Sequence, residues 1–105
     1  MRVLEFNVNN QILAKNPSCD FGNIVPGTEG YLRARFSFSH EWDNCILIAR
    51  FFRGNEEHAC RIVDNTCDIP PEVLTGRTFN VSVLGQRDNY RLTTNKILIV
   101  QEVSK

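Results

Sequence analysis

The chain has 105 residues, of which 42% are hydrophobic, so it suffices for one domain with one compact core. Its 12 Lys and Arg residues balance 12 Asp and Glu residues, so no net charge attracts nucleic acid or an anionic membrane. The longest apolar run is 45–49, too short to cross a bilayer, and the first residues lack a secretory signal pattern. We therefore expect a single soluble domain over residues 1–105, with neither a nucleic-acid nor a membrane partner.

Residues that favour strands dominate the composition, with nine Val, eight Ile, six Thr and ten aromatics against only four Ala. In chain order, the alternating segment 2–8 and the return segment 11–14 predict a hairpin, with its turn at Asn9-Asn10. Segment 16–30 is rich in Pro and Gly and predicts a loop. The next segment, 31–39, predicts the clearest strand, with one face formed by Leu32, Ala34, Phe36 and Phe38.

The remaining segments predict more short strands separated by turns. A turn at 41–44 leads into a strand over 45–53, and Gly54-Asn55 turns into a strand over 57–63. Asp64-Asn65 is typical of a tight hairpin turn into 66–69, and 71–74 predicts one short helical turn. A strand from Phe79 ends at Gly85, and two further strands cover 90–94 and 96–103. Eight or nine strands at this spacing indicate an all-β antiparallel sandwich or barrel.

The residue types that carry catalysis or bind metals are few. His40, Glu41 and Asp43 form either an acid-base or metal cluster or, more simply, the polar residues of a turn, because neighbours in a tight turn rarely converge. His58 and Cys60 share a strand face, but no second ligand pair accompanies them. The four cysteines lack a Cys-x-x-Cys pair and are predicted to be reduced and structural. We expect no enzyme activity, no metal and no cofactor.

Arginine and apolar residues on the central strands give the candidate interface. Arg33 and Arg35 share a face, and Arg50 joins them if segments 31–39 and 45–53 pair as a hairpin. That surface is either a solvated face paired with Glu29, Glu56 and Glu57, a protein interface, or less favourably a stacking surface for single-stranded bases or a glycan. The predicted interface residues are Arg33, Arg35, Ile48, Arg50 and Phe52.

The segments 45–49 and 96–100, in two of the predicted strands, are apolar on both faces, which a lone sandwich does not require. One face of each of these two strands is predicted to point into the core. The other face needs cover from segment 16–30 or from another subunit, and its residues are Ile46, Ile48, Phe52, Leu98 and Val100. The predicted core comprises Phe36, Phe38, Trp42, Ala49, Phe51, Ile69, Phe79, Val81 and Val83.

Five segments in order resemble a small immunoglobulin-like module of tail, baseplate and other minor structural proteins of bacteriophages and prophages of Gram-positive bacteria. They are FSFSHEWD at 36–43, IARFF at 48–52, VDNTCDIPPEVL at 63–74, GRTFNVSVLG at 76–85 and RLTTN at 91–95. The family usually has Gly where this chain has Asn44. The resemblance implies an immunoglobulin-like β-sandwich in which Trp42, Ala49, Phe51, Cys67 and Ile69 are core residues and not a site.

The resemblance further implies a non-enzymatic component of the virion, synthesised in the cytoplasm of the bacterial host, with other virion structural proteins or its own copies as partners. Two alternatives remain open beside it. One is a module that binds glycans of the host surface through Trp42, Tyr31, Tyr90 and arginine side chains. The other is a small phage protein that binds and inhibits a host factor.

Overall fold

The computed structural model describes residues 1–102. Nine strands and two short 3-10 turns follow one another along this part of the chain, and the turns span His40–Trp42 and Pro71–Thr75. The strands are β1 (Arg2–Asn9), β2 (Ile12–Lys15), β3 (Leu32–Phe38), β4 (Ile46–Arg53), β5 (Glu56–Arg61), β6 (Thr66–Asp68), β7 (Thr78–Arg87), β8 (Tyr90–Thr93) and β9 (Ile97–Val100).

The strands form two sheets that pack face to face. The first sheet has the order β2-β1-β3-β6, and the second has the order β5-β4-β7, with β8 and β9 both paired to the far edge of β7. All pairs are antiparallel except β1 and β3, which run parallel because loop 16–31 carries the chain back to the start of the sheet. The predicted immunoglobulin-like β-sandwich with a helical turn near 71–74 is confirmed.

The core fills the space between the sheets. Strand residues alternate between this interior and solvent, so the inward residues of β3 are those that the two-residue period predicts. Phe6 stacks on Phe36 with a centroid separation of 5.2 Å, and Phe51 lies 6.3 Å from Phe79. Of the predicted core residues, only Phe38 is partly exposed, and the buried ones are Phe36, Trp42, Ala49, Phe51, Ile69, Phe79, Val81 and Val83.

Several turns and strand ends differ from the prediction by one or more residues; β5, for example, ends at Arg61 and not at Val63. The first hairpin turns at Asn10-Gln11, one residue later than predicted, because Asn9 pairs with Ile12. Gly85 does not end its strand but lies inside β7, where it pairs with both Leu47 and Leu92. Strand β9 stops at Val100, because Gln101 turns inward and its side chain donates a hydrogen bond to the Gly76 carbonyl at 2.8 Å. Val103, the predicted end of this strand, lies outside the described residues.

Side chains and turns join the edges of the two sheets. Asn95, in the break between β8 and β9, accepts a hydrogen bond from the Leu13 amide at 2.7 Å and donates one to the Leu13 carbonyl at 3.2 Å. This side chain therefore replaces a neighbouring strand for β2, and β2 cannot easily pair with another chain there. At the opposite edge, the predicted Asp64-Asn65 turn has positive φ at both residues, but it carries the chain from β5 in the second sheet to β6 in the first.

Loop 16–31 closes one end of the sandwich and does not cover the outside of the second sheet. Phe21 contacts the inward ring of Phe6 at 5.4 Å between centroids, and Ile24 is buried in the core. The Arg2 guanidinium donates to the carbonyls of Asp20, Gly22 and Asn23 and holds the loop against β1. The outward apolar residues of β4 and β9 consequently remain exposed.

Candidate functional site

The predicted arginine surface is divided between opposite sides of the molecule. Strands β3 and β4 do not pair as a hairpin, because the turn at His40–Trp42 leads the chain from the first sheet into the second. Arg33 and Arg35 therefore face outward from the first sheet, while Arg50 faces outward from the second together with Ile48 and Phe52. The expectation that these five residues form one surface is wrong.

The arginines of the first sheet are paired with acids on their own face. Arg33 Nε lies 3.1 Å from Asp68 Oδ1, and its guanidinium also donates to the Thr66 hydroxyl at 3.0 Å. Arg35 lies 3.9 Å from Glu5. The acids differ from those that the sequence suggested, Glu29, Glu56 and Glu57, because β1 and β6 are the strands that flank β3. This face is a solvated one whose charges balance locally.

The outer face of the second sheet carries exposed apolar residues instead. Ile46, Leu98 and Val100 expose 53%, 48% and 55% of their surface. Ile48 and Phe52 are partly exposed on the same side of β4. The register places Leu84 of β7 directly across from Ile48, and Asn80 of β7 between Phe52 and Leu98. We call this surface the apolar outer face, consisting of Ile46, Ile48, Phe52, Leu84, Leu98 and Val100. A monomer does not need aliphatic residues there, which makes this face the candidate site.

One end of the apolar outer face is concave. A depression of about 600 Å³ has Ile46, Ile48 and Leu84 among its lining residues, and Arg87 and Asp88 line it as well. Arg87 is fixed in place, because its guanidinium lies 4.7 Å from the ring centroid of Tyr90 and donates to the Asp43 carbonyl at 2.7 Å. The depression is open to solvent and has room for aliphatic side chains of a partner.

A cationic cluster lies in the middle of the face. The Lys96 ammonium is 3.9 Å from the centroid of the Phe52 ring, so its side chain crosses β7 to reach β4. The Arg50 guanidinium lies 5.7 Å from the same ring. Ser82, in register with Arg50, points to this side of the sheet and is nevertheless fully buried, so longer neighbouring side chains cover it. We call Arg50, Lys96 and Ser82 the cationic centre.

Charges on this face are unbalanced. Arg50, Lys96, Arg61 and Arg91 face outward from the second sheet, together with one outward-facing acid of these strands, Glu57, and Asp88 at the rim. Within residues 1–102, no carboxylate lies within 4.0 Å of any of these four cations. The two outer faces of the sandwich thus differ in their charge pairing. On the first sheet the arginines are paired with acids, whereas on the second sheet the cations have no such partners among the described residues.

The histidine turn is a polar surface turn. The His40 side chain is fully exposed and lies 3.2 Å from Asp43. Glu41 accepts a hydrogen bond from the Ser39 hydroxyl at 2.8 Å, which lowers the pKa of the Glu41 carboxyl. Ser39 also accepts from the Asn10 amide, so these side chains join the turn to the first hairpin. Over residues 1–102, no group of three or more His, Cys, Asp or Glu side chains is placed to hold a metal ion.

The cysteines are thiols in different surroundings. Cys67 is buried between the sheets, and burial raises the pKa of its thiol, with a further contribution from the neighbouring Cys60. Cys60 and His58 share the inward side of β5, where both are half-buried. The Cys45 thiol lies 3.9 Å from the Tyr90 hydroxyl, and burial raises the pKa of Tyr90. Cys67 is thus an interior thiol, whereas Cys45 and Cys60 are partly exposed.

The aromatic residues suggested for glycan binding do not form a platform. Trp42 exposes only 2% of its surface, and its Nε1 donates to the Asn10 carbonyl at 2.7 Å. The hydroxyl of Tyr90 donates to the Glu41 carbonyl, which fixes Tyr90 against the histidine turn. Tyr31 is exposed but lies at the beginning of β3 in the other sheet. The expectation that these three rings act together is wrong.

No family model and no curated protein matches the chain. Within residues 1–102, no helix has the length and apolar character needed to cross a membrane.

Sequence reasoning missed Lys96, Ser82 and Leu84. In the segment 96–100, the isoleucines and the valine predict a strand, whereas nothing in the sequence indicates a partner for the lysine at its start. Lys96 joins the site only because β9 lies next to β7 and β7 next to β4, and this order is set by pairings between residues distant in sequence.

Proposed function

We propose that the chain is a non-enzymatic, protein-binding structural component of a phage or prophage virion, and that the apolar outer face of the second sheet is its attachment surface. The observation that carries this proposal is that one side of the sandwich presents three exposed and three partly exposed apolar side chains, while the opposite side pairs its arginines with acids. Exposed apolar patches of this kind mark protein-protein interaction sites. The virion setting rests on the sequence resemblance to immunoglobulin-like phage modules.

Two other features support binding by a sheet face. The edge of β2 is occupied by the Asn95 side chain, so addition of a partner strand is disfavoured there. The residues on the apolar outer face belong to regular strands, and Ile48 is held by pairing on both sides, with Leu84 and Arg61. A rigid surface loses little conformational entropy when it binds, which suits permanent assembly.

A host-surface glycan module is the less favoured alternative. Sugar binding by aromatic stacking needs exposed coplanar rings, and Trp42 is buried while Tyr90 is held by a hydrogen bond. Inhibition of a host factor would use the same apolar outer face, and the experiment below separates it from assembly, because an inhibitor need not remain with the particle.

The test is incorporation into particles. The tagged chain is expressed in a lysogenic Gram-positive host, the prophage is induced, and particles are purified by density gradient. We expect the wild-type chain to sediment with the particles at a fixed ratio to their other proteins. A chain found only in the soluble fraction would contradict the proposal.

Changes on the apolar outer face are expected to reduce this incorporation. Arg50→Glu and Phe52→Asp place acids among its exposed side chains, and we expect each to lower incorporation about tenfold or more while the purified variants keep wild-type circular dichroism. Leu98→Asp serves as a further variant, because Leu98 is half exposed and its replacement leaves the core intact. Ser37→Asp, on the outer face of the first sheet, is the matched control and should incorporate normally. Equal incorporation of all four variants would refute the assignment of the surface.

A further inference from the structure

We propose that the occupant of the apolar outer face is an extended acidic segment of a different protein, with a carboxylate on the cationic centre and aliphatic side chains in the adjoining depression. This inference rests on the proposed function, because it names the chemistry of the partner for the same surface. It commits to another protein and not to a second copy of this chain.

The cationic centre has hydrogen-bond donors and positive charge in excess. Arg50 Nε and the Ser82 hydroxyl have no hydrogen-bond partner in the part of the chain that the structure describes, but both lie below the surface. A docking group therefore meets the exposed Lys96 side chain and the partly exposed end of Arg50. Lys96 and Arg50 contact the π face of Phe52 and no carboxylate. Guanidinium and ammonium groups bind carboxylates through short charge-assisted hydrogen bonds, so a carboxylate is the group that this centre lacks.

The spacing of the aliphatic residues fits an extended segment. Ile48 and Ile46 precede Arg50 by two and four positions on the same face of β4, at about 7 and 13 Å from it. A segment lying antiparallel to β4, with an acid at one position and aliphatic residues two and four positions later, presents the matching side chains at the matching spacing. Leu84, across from Ile48, widens the depression toward β7.

A second copy is a poor occupant for electrostatic reasons. Two copies joined through this face would bring the cations of one against the same cations of the other, and such like-charge contacts oppose association. The outer face of the first sheet carries acids, but Asp68 and Glu5 are already paired with Arg33 and Arg35. Within residues 1–102, the outer face of the first sheet therefore offers no unpaired carboxylate, and a second copy of this face brings only Glu57 and Asp88 against four cations.

Nucleic acid fits this face less well than an acidic protein segment. Phosphates would bind the cations but would leave the aliphatic depression empty. The face of the Phe52 ring is already covered by the Lys96 ammonium, so it is not free to stack on a base. Base stacking needs free aromatic faces, and the other large hydrophobic residues exposed on this face are aliphatic.

The experiment uses the full chain labelled with nitrogen-15 and a seven-residue peptide with blocked ends. The peptide has glutamate at one position, leucine two and four positions later, and threonine elsewhere. On titration to millimolar concentration, we expect amide shifts concentrated at 46–52 and 82–86. We expect the dissociation constant to rise about three- to tenfold when glutamine replaces the glutamate of the peptide. The same rise is expected for the protein variants Arg50→Gln and Lys96→Gln. Arg35→Gln is the matched control and should bind like wild type.

Each contrary outcome overturns the inference. These outcomes are no shifts at all, equal binding of the glutamate and glutamine peptides, or shifts on β1 and β3. Tighter binding of inorganic phosphate or of an oligothymidine would assign the centre to phosphate, and dilution-dependent shifts at 46–52 without peptide would indicate a second copy. Because particle incorporation is measured separately, a failed titration with normal incorporation rejects only the partner chemistry, whereas absent incorporation rejects the proposed function.

Discussion

Replacement of Gly85 by alanine is expected to lower the free energy of unfolding by about 2 to 3 kcal/mol. A Cβ atom at this position would lie 2.7 Å from Cε3 and 2.8 Å from Cζ3 of Trp42, well inside van der Waals contact. Trp42 has little room to move away, because it is buried and its indole nitrogen is hydrogen-bonded. The strand has equally little freedom, since β7 pairs with β4 on one side and β8 on the other at this point.

Chemical denaturation of wild type and Gly85→Ala measures this difference. Gly76→Ala is the matched control, because its Cβ would approach the flexible Arg53 side chain at 3.1 Å and that side chain can move aside. We expect the control to remain within about 1 kcal/mol of wild type. A Gly85→Ala protein as stable as wild type would show that Trp42 is not seated against β7.

The second large effect is expected for Trp42→Ala, which should lower the free energy of unfolding by about 3 to 5 kcal/mol. The change removes the indole from between the sheets, leaves a cavity beside Gly85 and takes away the hydrogen bond to the Asn10 carbonyl. For a domain of this size, such a loss is a large part of the total stability. Thermal and denaturant unfolding measure it directly.

Tyr31→Ala is the control for Trp42→Ala, because Tyr31 is an aromatic residue with 51% of its surface exposed. We expect it to change stability by no more than about 0.5 kcal/mol. If Trp42→Ala instead kept wild-type stability and lost binding to a glycan array, Trp42 would be a ligand-binding residue and the sandwich core would be assigned wrongly.

Local patterns predicted the strands and their inward faces. In β3, the alternation of Leu32, Ala34 and Phe36 with polar residues follows from one face of the strand being buried. The Asp64-Asn65 turn was also predictable, because both residues tolerate the positive φ that it requires. Even the surplus apolar face of β4 was visible, since Ile46, Ile48 and Phe52 occupy the positions that the core does not need.

Pairings between distant residues were not predictable in the same way. The sequence of the turn before β4 suggests a hairpin connection, but the turn carries the chain from the first sheet to the second. Arg35 and Arg50 therefore face opposite sides of the sandwich. Gly85 looked like a strand terminator, although its function is to let β7 pass close to Trp42. Lys96 reached the site through the strand order β4-β7-β9, which no local pattern encodes.

The central claim is that the apolar outer face of the second sheet contacts another protein of the particle, and site-specific photo-cross-linking tests it most directly. A photoreactive phenylalanine analogue is placed at Leu98 in one variant and at Ser37, on the first sheet, in the other, and assembled particles are irradiated. The account predicts a covalent adduct with another particle protein from position 98 and none from position 37. An adduct from position 37 alone, or none from position 98 in particles that contain the chain, would contradict it.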